Sequence, residues 1–209
     1  MTGKRIGLVA LIAGALATLL TAAAWASTTS GAGMMGARGS GSRMMGANAL
    51  SGNGVQVRSL DGARQRAQAF ADRWGLKAGE VMQFDNGFYV ELLTSAGQGA
   101  TEVLVDPADG GVRLEYGPAM MWNTGYGMHA GRGSGSATVS AADAVVAAET
   151  WLDRQRPGAT AGEPELFPGY FTLHATRDGK VVGMLSVNAF TGAVWYHTWH
   201  GRYVAMSEG

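Results

Sequence analysis

Two stretches of the chain place apolar residues at the spacing of an amphipathic helix. The first stripe consists of Leu60, Ala63, Ala67, Phe70 and Trp74, and Gly75 ends it. The second follows Ser140, a residue suited to an N-cap, and consists of Ala141, Ala144, Val145, Ala148, Trp151 and Leu152. Because residues three and four apart share one face of a helix, both stripes predict a helix with one buried side.

Short apolar runs separated by turn residues follow each helix and predict antiparallel strands. After the first helix they occupy residues 81–84, 88–93, 101–106 and 112–116, and after the second helix residues 163–167, 171–176, 180–187 and 193–199. Asp85-Asn86-Gly87 and Asp178-Gly179 are typical hairpin turns between such runs. The sequence therefore predicts an α+β fold of two tandem repeats, each with one helix packed on a small antiparallel meander.

The two predicted repeats share a common register. Gly110 and Gly192 are separated by 82 residues, and so are Tyr89 and Phe171. This register aligns the segment 105–110 with the segment 187–192. A pattern that recurs at one fixed spacing indicates a duplicated unit.

These patterns divide the chain into segments. The first unit covers residues 57–117, the second covers residues 138–203, and residues 118–137 join them as a hinge rich in methionine and aromatic residues followed by a Gly/Ser linker. Residues 27–56 are rich in Gly, Ser and Met and have no apolar period that could build a core. We expect that segment to be disordered.

Residues 1–26 have the pattern of an export signal. Lys4-Arg5 precedes an apolar run, and Ala24-Trp25-Ala26 has the small-x-small form of a cleavage site. The alternative is an uncleaved membrane anchor through residues 6–26, since a helix needs ~20 apolar residues to span a bilayer. Both interpretations predict an extracytoplasmic protein that is secreted, periplasmic or held on the outer face of the membrane.

Composition narrows the functional classes. Lys plus Arg equal Asp plus Glu at 16 each among the 209 residues, so no excess of positive charge predicts a nucleic-acid partner. The chain has no cysteine and therefore neither disulfides nor thiolate ligands. It also lacks the motifs of zinc proteases, serine hydrolases, P-loop proteins and dinucleotide-binding folds. We expect no enzyme.

A strand that closes in Val-Asp/Asn-x-x-Thr/Asp-Gly-x-Val follows each alanine-rich helix, at residues 105–112 and again at 187–194. This combination, with a strand ending in Tyr or Phe before it, resembles the PepSY domain of thermolysin-type protease propeptides and many exported bacterial proteins. The resemblance covers residues 60–116 and 140–199. It implies a non-catalytic module that inhibits or binds a partner, so a protease-inhibitor-like module is one alternative function, although no protease accompanies it here.

The last strands of the two units differ at the positions expected to face solvent. The first unit has Arg113 and Glu115 there, as on an ordinary half-buried strand. The second has Trp195 and His197, and Trp199 follows on the same side. Two indoles side by side in water would form an exposed apolar patch. We therefore expect the other unit, the hinge or a partner to cover them.

The hinge allows two interpretations. In the first, Met120, Met121 and Trp122 only pack over Trp195 and Trp199, since methionine adapts to irregular gaps. In the second, Met120, Met121, Met128, His129 and His197 bind Cu(I) or Ag(I), and Trp122, Trp195 and Trp199 stack on the cation, because thioether and imidazole groups select soft metals. The sequence predicts an exported binding or regulatory module with an unknown exported partner, and a copper- or silver-binding protein as the alternative.

Overall fold

The computed structural model describes residues 48–131 and 136–207. The predicted export signal of residues 1–26 and residues 27–47 of the predicted disordered segment lie outside these ranges. Among the described residues, no helix is both long and apolar enough to cross a bilayer.

The first half of the described chain contains one long helix and five strands. They are β1 (Ala49–Leu50), α1 (Leu60–Ala71), β2 (Lys77–Phe84), β3 (Gly87–Leu93), β4 (Gly99–Val105) and β5 (Val112–Leu114), followed by the one-turn helix α2 (Pro118–Met121). The Ser59 side chain accepts a hydrogen bond from the backbone of Gly62 and caps α1. A short 3-10 turn, Asp72–Trp74, continues α1 to Gly75, the predicted end of the helix.

The second half contains the other long helix and six strands. They are α3 (Ala141–Gln155), β6 (Thr160–Ala161), β7 (Glu165–Phe167), β8 (Tyr170–Arg177), β9 (Lys180–Asn188), β10 (Val194–Tyr196) and β11 (Tyr203–Ser207). Ser140 is the N-cap of α3, as predicted, and Asp143 bonds back to it in a capping box.

The strands form two antiparallel sheets, and each sheet carries one long helix. Sheet 1 has the order β1-β5-β4-β3-β2-β11, and sheet 2 has the order β10-β9-β8-β6, with β7 also paired to β8. The predicted stripe of α1 packs on sheet 1, and that of α3 packs on sheet 2 except for Ala141, which is exposed in the first turn of the helix. The mixed α+β class predicted from the sequence is therefore confirmed.

The faces of the two sheets that point away from the helices pack against each other. Met82 and Tyr89 of sheet 1 share a buried cluster with Met184 of sheet 2. The same interface also buries polar residues, which are Glu91, Glu102, Thr172 and Ser186. Buried polar groups need partners, so this inter-sheet layer contains the chemistry described below.

Besides the short β6, two strands occur where the sequence pattern indicates none. Ala49–Leu50 lies in the segment predicted to be disordered, but it forms β1 at the edge of sheet 1. Strand β11 follows the second predicted unit, yet it pairs with β2 of sheet 1. Both strands pair only with partners distant in sequence, so no local hairpin signal marks them.

The structure also corrects the register at one strand. Phe88, and not Tyr89, is opposite Val105, whereas Phe171 is opposite Val187. The alignment of Tyr89 with Phe171 is therefore wrong by one residue. Both hairpins contain one register shift, so the difference lies in the connection, which is longer between Leu93 and Gly99 than between Arg177 and Lys180.

Candidate functional site

The hinge segment packs against sheet 1. Asn123 is fully buried; its Nδ2 donates to the carbonyl of Ala100 on β4 at 2.8 Å. Its Oδ1 accepts from the backbone N–H groups of Gly125 and Tyr126 at 2.9 and 2.7 Å. One amide thus satisfies three backbone groups and fixes the turn after α2 on the sheet.

Four aromatic side chains lie in contact along one side of the molecule, and we call them the aromatic strip: Tyr116, Trp122, Trp195 and Trp199. The ring centroids of Trp122 and Trp195 are 5.5 Å apart, those of Trp195 and Trp199 are 6.4 Å apart, and those of Tyr116 and Trp199 are 6.3 Å apart. All three pairs are edge-to-face, the arrangement that the ring quadrupoles favour. The structure thus brings together the three tryptophans predicted to share a surface.

The aromatic strip is only partly covered. Trp195 is 38% exposed and Tyr116 is 41% exposed, although Trp122 of the hinge contacts Trp195. Arg113 lies 5.0 Å above the ring of Tyr116 at one end of the strip. The hinge therefore provides a partial lid that leaves an aromatic surface in solvent.

Trp199 of the aromatic strip also belongs to a second group of side chains, which extends into the interior. We call this group the Glu115 cluster: Glu115, His197, Trp199 and His200. Oε1 of Glu115 is 2.5 Å from Nε2 of His200 and 3.3 Å from Nδ1 of His197. The indole Nε1 of Trp199 donates to the same oxygen at 3.1 Å. Three side chains from the segment that follows β10 thus converge on one carboxylate that follows β5.

The position of Glu115 corrects a prediction. Alternation along the strand predicts that Glu115 faces solvent and Tyr116 faces the core, but Glu115 is fully buried and Tyr116 is exposed. Strand β5 ends at Leu114, so the alternation stops one residue before Glu115. The side chain of His200, in the segment that follows β10, is also covered and is 3% exposed.

The charge of Glu115 is favoured despite its burial. Burial alone raises the pKa of this carboxyl, but His197 and His200 together lower it well below its ordinary value by charge and hydrogen bonding. The Glu115 cluster is therefore a buried site with an ionised carboxylate between two imidazoles.

A line of hydrogen bonds continues from the Glu115 cluster between the sheets. Nε2 of His197 is 2.9 Å from Oγ of Ser186, and that oxygen is 3.0 Å from Oγ1 of Thr172. Carboxylate, imidazole and hydroxyl follow one another as in a hydrolase triad. Ser186 is fully buried, however, so no substrate reaches its hydroxyl in this conformation.

The line ends at Glu102, which joins the two sheets. Its carboxylate accepts hydrogen bonds from the hydroxyls of Tyr89 at 2.9 Å and Tyr170 at 2.7 Å, and the nearby Thr172 hydroxyl lowers its pKa. Burial, followed by the negative charge of Glu115, raises the pKa of Glu102 to about 7. The inter-sheet layer thus contains two carboxylates whose pKa values are displaced in opposite directions.

The predicted soft-metal ligands fall into two places. Met120 and Met128 are brought together by a backbone hydrogen bond from Met128 N to Met120 O at 2.8 Å. Met121, Met128 and His129 are exposed, with Met128 at 60%. His197 is 1% exposed, and its two nitrogens face Glu115 and Ser186. The structure therefore joins Met120 and Met128 through the backbone and places His197 apart from them in the buried cluster.

Sequence reasoning missed Glu115 and His200 as members of a site. One signal was available, because the 82-residue register aligns Glu115 with His197, and these aligned residues contact each other across the two sheets. His200 follows His197 by three residues but lies on a turn after β10, where helical spacing rules do not apply.

Comparison with known proteins gives little further identification. No family model and no curated protein matches the chain. Among solved structures, the C-terminal domain of YpeB from Bacillus megaterium is similar at 15% identity with a TM-score of 0.36, over 69% of this chain and 67% of that domain. A likeness at this level identifies neither a family nor a function.

Proposed function

We propose that this protein is an exported, non-enzymatic binding module of two PepSY-like units, and that the aromatic strip is its binding surface. The observation that carries the proposal is the contact row from Trp122 through Trp195 and Trp199 to Tyr116, of which two rings remain about two-fifths exposed. Aromatic side chains are enriched at protein interfaces, because one ring buries a large area with little loss of side-chain entropy.

The strand pairing supports the two-unit interpretation. Arg113 is opposite Leu104, and Trp195 is opposite Ser186, which are register-equivalent pairs. Arg113 and Trp195 therefore occupy equivalent positions on the last strand of each predicted unit.

The turns that precede these strands support it as well. Asp106 Oδ1 accepts from the N–H of Ala108, and Asn188 Oδ1 accepts from the N–H of Phe190. Each turn then reaches a glycine with positive φ, 72° at Gly110 and 70° at Gly192. A turn that needs positive φ explains the glycine in both copies of the motif.

We infer that the partner is an extended segment of another exported protein with apolar or proline-rich side chains. Rows of aromatic rings with grooves between them bind such segments. The inhibitor-like alternative is a special case of this binding, since an inhibitor also presents a surface to its target. It is supported by the resemblance to protease propeptides alone.

Site-specific photo-cross-linking tests the proposal. A benzoylphenylalanine at position 195 should cross-link a partner in the extracytoplasmic fraction, while the same probe at Val146, which is 64% exposed on α3, should not. The captured protein, once purified, should bind the unmodified chain, and Trp195→Ala should weaken that affinity at least tenfold, with Val146→Ala as the matched control. Equal cross-linking from both positions, or unchanged affinity of Trp195→Ala, would contradict the proposal.

A soft-metal site remains the second candidate, because a backbone hydrogen bond joins Met128 to Met120 in the hinge, and Met120 lies two residues before Trp122 in the sequence. Cu(I) added under reducing conditions should then quench tryptophan fluorescence at one equivalent. The Met120→Leu/Met121→Leu variant keeps the packed volume and should lose this response. Unchanged quenching in that variant would show that Met120 and Met121 do not bind the ion and only pack against their neighbours.

A further inference from the structure

We propose that Glu115, His197 and His200 form a binding site for one divalent transition-metal ion of the zinc type. This site is distinct from the methionine turn of the hinge. It also does not depend on the aromatic strip being a binding surface.

The donor atoms are close enough to share an ion. One ligand atom from each of the three residues lies within 4.8 Å of the other two. Zinc binds imidazole nitrogen and carboxylate oxygen at about 2.0–2.2 Å, so an ion between these atoms needs only small side-chain shifts. Two imidazoles and one carboxylate leave a fourth position of a tetrahedral ion open.

Buried atoms without partners point to a missing ligand. Oε2 of Glu115 has no hydrogen-bond partner among the described residues, and Nδ1 of His197 has only its 3.3 Å contact with Oε1 of Glu115, which is not an aligned hydrogen bond. Both side chains are fully buried. Leaving such an atom unpaired costs about 1–3 kcal/mol, so native structures rarely tolerate two in one place. A cation between Glu115 and His197 would satisfy both.

The surroundings of the three residues resemble those of known metal ligands. The Nε2 side of His197 bonds to Ser186 Oγ at 2.9 Å, which leaves Nδ1 for the ion. Trp199 Nε1 holds Oε1 of Glu115 at 3.1 Å. Metal-bound imidazoles and carboxylates commonly have such outer hydrogen bonds, which fix the tautomer and the orientation.

An entry path also exists. A cleft of about 150 Å³ is lined by His200 and Trp199 together with Arg113 and Tyr116. His200 therefore lies between the cleft and Glu115. An ion could reach the buried carboxylate by displacing the short contact between His200 and Glu115.

The donor set selects the class of metal. Imidazole and carboxylate suit Zn²⁺, Co²⁺ and related ions, whereas the thioethers of Met120 and Met128 suit Cu(I). The affinity of the Glu115 cluster for a divalent ion should thus be the same in the Met120→Leu/Met121→Leu variant as in the wild-type chain. This difference separates the present proposal from the soft-metal alternative.

Cobalt titration of the chelator-treated full chain tests the site. One equivalent of Co²⁺ should produce visible d–d absorption and quench the fluorescence of Trp199, whose ring is stacked on His197 at 4.7 Å. Zn²⁺ should then abolish the absorption by displacement. His200→Gln should weaken binding at least 100-fold, while the exposed His129→Gln serves as the matched control and should not.

The outcomes are decisive in each direction. Circular dichroism of His200→Gln establishes that the variant folds, and Glu115→Gln provides a second test if it does not. Absence of d–d absorption in the wild-type chain would overturn the proposal. So would binding that is lost in His129→Gln and retained in His200→Gln, because it would place the ion on the surface.

Discussion

The indole of Trp199 donates a hydrogen bond of 3.1 Å to the buried carboxylate of Glu115, a residue 84 positions earlier in the chain. The same ring stacks on His197 and contacts Tyr116 and Trp195. One side chain therefore belongs both to the aromatic strip and to the Glu115 cluster. A substitution of Glu115 should therefore also change the positions of the rings in the aromatic strip.

The first prediction tests this shared side chain. Trp199→Phe keeps an aromatic ring but removes the N–H donor to Glu115, so we expect the free energy of unfolding to fall by about 1–3 kcal/mol. Urea denaturation measures the change. Trp195→Phe is the matched control, since Trp195 makes no hydrogen bond through its indole in the described structure, and it should cost clearly less. Equal losses in the two variants would contradict a role for the bond.

The second prediction concerns the backbone beneath the aromatic strip. Gly117 has a φ of 66°, and a Cβ placed on it would lie 2.9 Å from Cη2 of Trp199 and 3.1 Å from Cε2 of Trp195. Gly117→Ala should therefore both strain the backbone and displace the two indoles, with a loss of stability of about 1–3 kcal/mol. Near-ultraviolet circular dichroism should change with it. Gly97→Ala has a similar φ of 77° but no neighbour within 4 Å, and its near-ultraviolet spectrum should stay unchanged.

The third prediction concerns the attachment of the hinge. Asn123→Ala leaves the carbonyl of Ala100 and two backbone N–H groups without their partner, so we expect a loss of about 2–4 kcal/mol. Limited proteolysis should then cut residues 117–131 faster than in the wild-type chain. The control is Asn53→Ala, since the exposed Asn53 side chain bonds the N–H of Val55 in its own loop. Comparable cleavage in both variants would show that Asn123 does not hold the segment.

The fourth prediction concerns pH. Burial, followed by the neighbouring Glu165 carboxyl, raises the pKa of Glu91 to about 9, with a further contribution from Glu102. The folded chain therefore keeps a proton on Glu91 that the unfolded chain releases near its ordinary pKa of 4.5. Stability must fall as pH rises between these values, by at most about 1.4 kcal/mol for each pH unit from this one group.

Glu91→Gln removes that dependence. We expect the variant to be more stable than the wild-type chain at pH 8 and similar to it at pH 4.5, as measured by urea denaturation across this range. Glu163→Gln removes the same charge from an exposed position and should leave the slope unchanged. A wild-type slope retained in Glu91→Gln would contradict the assignment.

The sequence pattern locates features that depend on near neighbours. Both helices, the N-cap Ser140 and most strands follow from apolar spacing and turn residues, because those signals lie within a few positions of one another. The grouping of Trp122, Trp195 and Trp199 also follows, since exposed indoles require a cover. The existence of β1 cannot be predicted from the sequence pattern, because its partners Val112 and Arg113 are remote in sequence.

The Glu115 cluster could not be found in the same way. A glutamate on a strand of alternating residues is expected to face water, and only the contact with His197 and His200 makes its burial acceptable. Those partners lie on the connection from β10 of sheet 2 to β11 of sheet 1. Local patterns therefore predict that Glu115 is exposed. Its burial can be inferred only when the packing of the two sheets against each other is known.

Strand β11 has a consequence for how the protein is made. It closes sheet 1 beside β2, with Tyr203 opposite Phe84 and Ser207 opposite Val81, and Arg64 of α1 bonds to the Ser207 carbonyl at 3.3 Å. All other described elements precede β11 in the chain. During synthesis, β2 therefore keeps an open edge, a surface prone to pairing with other chains. Sheet 1 is therefore complete only after β11 has been synthesised, so the nascent chain cannot finish its two sheets one after the other.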